Sequence, residues 1–410
     1  MLSTRAAHCD KGTTAATRTA RAALPLLAVA LGLGGCAARN GRGGPSSFER
    51  AFSQAFARGS QQIGRDVGRL GDFITSFTAT VSKQWGQKET KVADRTVYVK
   101  YTQNYTTRAI ADFDRGTVTV ETMDDKDPRG SLRRAIVTTL LTSNDPRAVD
   151  LFSDGNVVLE KGRDPYLLGL VLDPAGQAIR TPEQAERFAQ YLVERSRSHA
   201  IQTESGDKTV RFVKIAMVAN FSNKNADKYR AAVLRYAEQY QVSPSLVFAI
   251  MRTESNFNPF AVSSVPAFGL MQLVPRTGGR DAYRRAKGVD ETPAPEYLFD
   301  PDNNIELGTA YLSVLASGHL GRITNPVSRE YCVIAAYNTG AGNVFKAFGG
   351  GKGKAFDEIN RLDPAAVYDR LRSSLPYQET RNYLAKVVGY RKGFLAASGP
   401  ASELRLAALR

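Results

Sequence analysis

The spacing of apolar residues changes character along the chain. Between residues 48 and 70, apolar side chains recur every three or four positions, which predicts helix. Segments rich in Val, Thr and Tyr then alternate with helical spacing, and they predict strands over 96–105, 117–121 and 208–219 and helices over 131–141 and 182–198. We therefore expect an N-terminal α+β accessory domain over 48–219, acting as a scaffold or docking module.

From residue 220 the pattern becomes helical and stays so. One stripe at helical spacing consists of Tyr229, Val233, Tyr236 and Tyr240. Ser243-Pro244 is typical of a helix start, with Ser as N-cap and Pro at the first helical position. Further helices are predicted over 304–318, 329–337, 364–373 and 378–396. The predicted fold class is thus α+β, with a mainly α-helical domain over 220–400 after the N-terminal one.

The first 35 residues predict a secretory leader. Basic residues precede an apolar run from Leu24 to Leu33, which is too short to span a bilayer as a helix. Gly34-Gly35-Cys36 follows and resembles the bacterial lipobox, in which the Cys is acylated and becomes the mature N-terminus. The alternative is an ordinary signal peptide with a chance Cys at this position.

Residues 36–47 are rich in Gly, Ala and Ser and predict a flexible, lipid-anchored tether. Ala rather than Asp at position 37 favours the outer membrane over the inner one. The expected location is therefore the periplasmic face of the outer membrane, held by a lipid on Cys36. The first partner expected there is this membrane.

Charge and histidine content narrow the possible chemistry. The formal charge of +15 falls to +12 when the leader, with four basic residues and one acidic one, is removed. The basic residues are spread along the chain without a nucleic-acid-binding module, so we expect no nucleic-acid partner. The three histidines, His8, His199 and His319, lie far apart in sequence. A His-rich metal site is excluded, we expect no metal and no cofactor, and acid–base chemistry must rest on carboxylates.

The helix that starts at Ser243 carries one carboxylate on its apolar face. Glu254 lies seven residues after Val247 and four after Ile250, so two helical turns bring it onto the same face. Burial and the negative end of the helix dipole both disfavour its ionised form and should raise its pKa, as a general acid at neutral pH requires. The structural alternative is a helix-end Glu paired with Arg252 or another base.

Three later segments combine polar groups with turns. They are Gly269-Leu270-Met271-Gln272, Ala336-Tyr337-Asn338 before a Gly-rich loop, and Pro376 to Tyr383 at the start of a late helix. Each alone has an ordinary structural explanation. In this order, together with Glu254-Ser255, they resemble the four motifs of the lytic transglycosylases with the goose-type lysozyme fold, which cleave bacterial peptidoglycan. The resemblance covers about 225–396. The partners it implies are cell-wall glycan and, through the N-terminal domain, cell-wall synthesis or division proteins.

This resemblance implies a role for each matching residue. Glu254 would be the single catalytic acid/base, and Ser263 would contact the N-acetyl group or the glycan near it. Tyr337 would orient or hydrogen-bond the catalytic carboxyl. The remaining substrate-binding positions implied are Met271, Gln272, Asn338, Glu379 and Tyr383.

The resemblance also implies a reaction with one carboxylate, in which the muramoyl C6 hydroxyl replaces water and leaves a 1,6-anhydromuramoyl end. Sequence alone gives no obvious second acid near Glu254, because Asp281, Asp290 and Glu291 are separated from it by turns and Pro. The alternatives are a lysozyme-type hydrolase and a non-catalytic peptidoglycan-binding envelope lipoprotein.

Overall fold

The computed structural model describes residues 63–159, 162–263 and 267–398, with side chains from residue 71 to residue 396 outside the two gaps. The leader, Cys36, the tether and the apolar positions 48–62 lie outside these ranges. All the residues described here belong to one compact unit. The proposed domain boundary between 219 and 220 stays a prediction.

A five-stranded antiparallel sheet forms in the N-terminal half, and the Val-, Thr- and Tyr-rich segments predict three of its strands. Its strands are β1 Val97–Thr102, β2 Thr107–Asp112, β3 Thr117–Thr122, β4 Arg197–Thr203 and β5 Gly206–Ala216. The spatial order is β1-β2-β3-β5-β4, so the late β4–β5 hairpin joins the sheet beside β3. β1 and β4 are the two edges.

The turn between β2 and β3 brings the sheet close to the helical part. The Oδ1 atom of Asp112 accepts the N–H groups of Asp114 and Arg115, and Gly116 follows with φ 62°. A β-carbon at Gly116 would collide with the ring of Phe221, so the close approach requires glycine.

Three helices accompany the sheet: α1 Ile63–Trp85, α2 Pro128–Leu141 and α3 Pro182–Glu194. The Asp127 side chain caps α2 by accepting the N–H of Gly130, and Thr181 and Gln184 form a capping box on α3. The predicted helix over 182–198 extends too far, because residues from Arg197 onward pair with β5 instead. Pairing with a neighbouring strand decides that segment, and local spacing does not show it.

Helices make up most of the described chain after residue 220. They are α4 Phe221–Asp227, α5 Arg230–Tyr240, α6 Pro244–Ser255, α7 Arg280–Lys287, α8 Pro295–Phe299, α9 Pro301–Ser313, α10 Pro326–Thr339, α11 Ala341–Ala347, α12 Lys352–Arg361, α13 Pro364–Ser374 and α14 Gln378–Ser398. The fold class is α+β, as predicted. Ser243 precedes α6 as expected, but its hydroxyl makes no capping bond and pairs with that of Ser245 at 2.8 Å.

One hydrophobic core runs from the sheet into the helices. At the junction the ring of Tyr98 on β1 lies 4.7 Å from that of Phe260. The side-chain amide of Asn256 donates to the carbonyl of Phe113, and that of Asn258 donates to the carbonyl of Arg95 at 3.2 Å. The segment that leaves α6 is therefore fixed to the sheet by both packing and hydrogen bonds.

None of the helices described here is both long enough and apolar enough to cross a membrane. Cys332 is a buried free thiol in α10 and packs as a small apolar core residue.

Candidate active site

Helix α6 carries Glu254 into the interior. Val247 and Ile250 on the same face are fully buried, and Glu254 is 6% exposed. The helix ends one residue later, at Ser255, because Asn256 adopts a left-handed conformation with φ 45°. The carboxyl group is thus held in the last turn of a buried helix, as its position in the sequence predicts.

Two side chains from distant parts of the chain reach this carboxyl. The hydroxyl of Tyr383 on α14 donates to Oε1 of Glu254 at 2.7 Å. The Arg95 guanidinium, which lies just before β1, has its Nη1 atom 3.8 Å from Oε2. Tyr383 is buried, whereas the Arg95 side chain is 43% exposed. The acid therefore has one hydrogen-bond donor from the interior and one cation from the solvent side.

Burial raises the pKa of Glu254 to about 7. The hydrogen bond from Tyr383 and the charge of Arg95 act in the opposite direction, and the negative charge of Glu379 adds a smaller upward effect. A carboxyl with this pKa is substantially protonated at neutral pH and loses its proton easily, so it can act as an acid and then as a base.

A tight turn, here called the Gln272 turn, spans Gly269 to Gln272 beside α6. Gly269 has φ 72°, and a β-carbon there would collide with the side chain of Asn304. Asn304 accepts the backbone N–H of Met271 at 2.8 Å, and the Ser255 hydroxyl donates to the carbonyl of Leu270 at 2.8 Å. Buried side chains thus fix the backbone of the turn next to the end of α6.

Gln272 is the polar side chain that this turn presents. Its backbone lies at φ 48°, and its Nε2 donates back to the carbonyl of Gly269 at 3.0 Å. Its Oε1 is buried and has no hydrogen-bond partner among the described residues. A buried acceptor without a partner is costly, so Oε1 is available to an N–H or O–H donor of a ligand.

The two tyrosines differ from the roles that the resemblance implies. Tyr337 was expected to orient or hydrogen-bond the carboxyl, but its hydroxyl donates to the carbonyl of Met271 at 2.8 Å. Tyr383, expected as a substrate-binding position, makes the bond to Glu254 instead. The reason is geometric: α10 ends beside the Gln272 turn, whereas α14 packs along α6. Tyr337 therefore supports the turn.

The other predicted positions lie in different environments. The Met271 side chain is fully buried and packs on Gly308, so its contribution to the site comes from its backbone. Asn338 accepts the hydroxyl of Thr380 at 2.7 Å and ties α10 to α14. Glu379 is exposed in the first turn of α14.

Ser263 lines a cavity next to Glu254, together with Arg95 and Arg252. The Arg252 guanidinium lies 4.4 Å from the centre of the Tyr390 ring, so the base that pairs with the helix-end Glu254 is Arg95 and not Arg252. Arg95 was not identified from the sequence, because an Arg in an Asp-Arg-Thr segment before a strand is typical of a solvent-exposed charged residue.

The acids considered from sequence as a second carboxylate lie elsewhere. Asp290 pairs with Arg280 at 2.8 Å, and Asp281 pairs with Arg284 at 3.2 Å, both in exposed positions. In the described ranges, no group of three or more His, Cys, Asp or Glu side chains is arranged to hold a metal ion.

Comparisons with known proteins identify the family of each part of the chain. A family profile for the N-terminal domain of membrane-bound lytic murein transglycosylase C matches residues 63–228, and a transglycosylase SLT domain profile matches residues 231–360. Among solved structures, the 70 kDa soluble lytic transglycosylase of Escherichia coli is 28% identical, with 42% of this chain and 24% of that chain covered and a TM-score of 0.33.

Curated relatives match over nearly their whole length. Membrane-bound lytic murein transglycosylase C of Cronobacter sakazakii is 43% identical over 339 residues, which cover 83% of this chain and 91% of the relative. The protein of the same name from Yersinia pestis is 44% identical over 331 residues, with 80% and 91% covered. The chain therefore belongs to the membrane-bound lytic murein transglycosylase C family and is a lytic transglycosylase.

Proposed function

We propose that this enzyme cleaves the β-1,4 bond between N-acetylmuramic acid and N-acetylglucosamine in peptidoglycan, with Glu254 as the single acid/base. The observation that carries the proposal is the buried Glu254 carboxyl, whose pKa of about 7 allows it to give up and regain a proton. The products are a new N-acetylglucosamine end and a 1,6-anhydromuramoyl end.

The reaction proceeds in two steps. Protonated Glu254 donates its proton to the glycosidic oxygen as the bond to C1 breaks, and the 2-acetamido group of the muramoyl unit stabilises the positive charge at C1. The ionised carboxyl then takes the proton of the muramoyl C6 hydroxyl, whose oxygen attacks C1. Because that hydroxyl belongs to the same sugar, its effective concentration is high. Glu254 ends the cycle protonated, and no water is consumed.

The contacts of Glu254 fit this cycle. Between the two steps the carboxylate is ionised in a buried place, where the Tyr383 hydroxyl and the Arg95 cation lower the cost of its charge. The unpartnered Oε1 of Gln272 accepts a hydrogen bond from the sugar, and Tyr337 keeps the turn in place. Ser263, Asn338 and Glu379 are proposed as further glycan-binding positions around the cleft.

A lysozyme-type hydrolase is the second candidate function. The observation that favours it is the presence of a second carboxylate, that of Glu379, close enough to Glu254 to affect its pKa. Its negative charge is felt at Glu254, so it could serve as the second carboxylate of a two-acid mechanism. In that case Glu379→Gln abolishes turnover. On the single-acid proposal Glu379→Gln retains most of the activity, since the acetamido group and C6 hydroxyl replace the second acid and water.

The experiment that tests the proposal is the digestion of purified sacculi by the form of the enzyme that lacks residues 1–36. The masses of the released products are then measured by mass spectrometry. Anhydromuramoyl products are lighter by one water than reducing muramoyl ends, so the masses separate the two reactions. Release of anhydro products by the wild type but not by Glu254→Gln supports the proposal. Reducing ends support the hydrolase, and sacculus binding without turnover supports a non-catalytic envelope lipoprotein.

We also propose that Cys36 carries the lipid that anchors the enzyme to the outer membrane on its periplasmic face. The small residues that precede this Cys at the end of an apolar run support the assignment. Metabolic labelling with a radioactive fatty acid should mark the wild type and leave Cys36→Ser unlabelled. The cell-wall synthesis or division proteins expected as partners of residues 48–219 stay a prediction.

A further inference from the structure

A cavity of about 230 Å³ lies beside Glu254, where the sheet meets α6 and α14. We call it the junction pocket. Its charged wall residues are Asp94, Arg95, Asp114, Arg252 and Lys386. Because Arg95 also contacts the carboxyl of Glu254, the pocket adjoins the reacting centre directly.

The two carboxylates of the junction pocket already accept hydrogen bonds from the protein. Oδ1 of Asp94 accepts the backbone N–H groups of Thr96 and Val97 at 2.8 and 2.9 Å. Oδ2 of Asp114 accepts the hydroxyl of Thr96 at 3.0 Å, and its Oδ1 lies 3.5 Å from Nδ2 of Asn256. These acids hold the backbone at the start of β1 and face their own donors.

The three cations retain free donors. Arg252 lies over the ring of Tyr390, which leaves the N–H groups at the edge of its guanidinium open. Lys386 is exposed, and within the described ranges its ammonium has no ion pair or hydrogen bond. Arg95 approaches Glu254 only at 3.8 Å, longer than a hydrogen bond. The pocket therefore holds three cations with open donors against two carboxylates that already accept hydrogen bonds from the protein.

We infer that the junction pocket binds a carboxylate carried by the muramoyl unit of the glycan. That unit bears a lactyl group, which ends in a free carboxylate or in a stem peptide with carboxylates of its own. Guanidinium groups bind carboxylates through paired N–H bonds, and the ammonium adds charge. Ser263, expected to contact the glycan, lines the same pocket. The inference rests on the proposed function of Glu254.

The test compares two double variants of equal charge change. Arg252→Gln with Lys386→Gln removes two pocket cations but leaves Arg95 on the catalytic carboxyl. The control is Arg129→Gln with Lys354→Gln, two exposed residues outside the pocket. Each enzyme is given peptide-bearing glycan strands, strands freed of peptides by an amidase, and both kinds after chemical amidation of their carboxylates. The readouts are kcat/KM for anhydro product release and strand binding by sedimentation.

We expect the pocket variant to lose about tenfold in kcat/KM and in binding on strands with carboxylates, and little on amidated strands. The control loses nothing on any strand. A loss confined to peptide-bearing strands identifies a peptide carboxylate, and one confined to peptide-free strands identifies the lactyl carboxylate. Lys386→Gln alone, at an exposed site that leaves the fold intact, shows a smaller loss of the same kind.

An equal loss on amidated and unmodified strands, or no loss on either, overturns the inference. Failure of the proposed function looks different. In that case the wild type releases no anhydro ends from any strand, while sedimentation still shows whether binding depends on Arg252 and Lys386 and on carboxylates.

Discussion

The helical region and the sheet region each contribute a residue at the catalytic carboxyl, Glu254 itself and Arg95. The two residues differ in how easily they can be identified as functional from the sequence. Glu254 stands on the apolar face of its helix, two turns after Val247, where a carboxylate conflicts with its surroundings. Arg95 precedes an ordinary strand, where a charged side chain is compatible with a solvent-exposed position. A functional residue is visible in sequence when it breaks a local rule, and one that obeys every local rule becomes visible only through its tertiary contacts.

The largest effect is expected from the helical region. Glu254→Gln keeps the shape of the side chain and removes the exchangeable proton, so we expect kcat to fall about 1000-fold or more. Initial rates of anhydro product release measure the change. Glu238→Gln, an exposed residue of α5, is the matched control and should leave the rate unaltered. A Glu254→Gln enzyme of near wild-type rate contradicts the role of this carboxyl.

The same substitution should change stability in the opposite sense. The pKa of Glu254 is about 7 in the folded chain against an ordinary 4.5, so the folded state binds the proton more tightly than the unfolded one. Stability from this group is therefore complete below pH 4.5 and is lost as pH rises to 7. Glu254→Gln should be more stable than the wild type by about 3 kcal/mol at pH 8 and by little at pH 4.5.

Denaturant unfolding at the two pH values measures this difference, with Glu238→Gln as the control. A Glu254→Gln enzyme that is less stable than the wild type at pH 8 would show that the ionised carboxyl is a stabilising group. The burial argument would then be wrong.

The two tyrosines should differ within the helical region. Tyr383→Phe removes the donor to a charged group, and we expect kcat to fall about 30-fold. Tyr337→Phe removes a donor to a neutral carbonyl, and we expect a fall of about fivefold. Steady-state rates on glycan strands give both numbers. If Tyr337→Phe has the larger effect, the assignment of the carboxyl bond to Tyr383 is incorrect.

The smallest effect is expected from the sheet region. Arg95→Gln removes a half-exposed cation, so we expect activity at neutral pH to fall about threefold. The loss of positive charge raises the pKa of Glu254, so the alkaline limb of the pH profile should move to higher pH. The pH dependence of the rate measures this shift. Arg95→Lys keeps the positive charge and should return the alkaline limb to its wild-type pH, whereas Arg115→Gln, in the exposed β2–β3 turn, should leave the limb unchanged.

Much of the fold could be predicted because local rules and tertiary structure agree. The strand segments near 96–105 and 117–121 became β1 and β3, and the helix predicted over 364–373 became α13. Prediction was wrong where they disagree: residues 197 and 198 continue a helical pattern but pair with β5. Strand pairing involves residues far apart in sequence, which spacing within one segment does not reveal.

The site shows the same division. The apolar periodicity of α6 and the helix end at Asn256 place Glu254 and predict the direction of its pKa change. The partner of each tyrosine could not be predicted, because it depends on which helix packs beside α6. The position of Arg95 depends on Asn258, because the Asn258 side-chain amide donates to the backbone carbonyl of Arg95 and holds this residue near the Glu254 carboxyl. This contact joins residues far apart in sequence.

The most direct test of the account is a titration of Glu254 itself. The carboxyl carbon of Glu254 can be followed by NMR in enzyme labelled with ¹³C at glutamate, with Glu254→Gln used to assign the signal. We expect a pKa of about 7 in the wild type, and a higher one in both Tyr383→Phe and Arg95→Gln. A midpoint near the ordinary value of 4.5, or one that neither substitution moves, would contradict the claim that both regions hold this carboxyl as the acid/base.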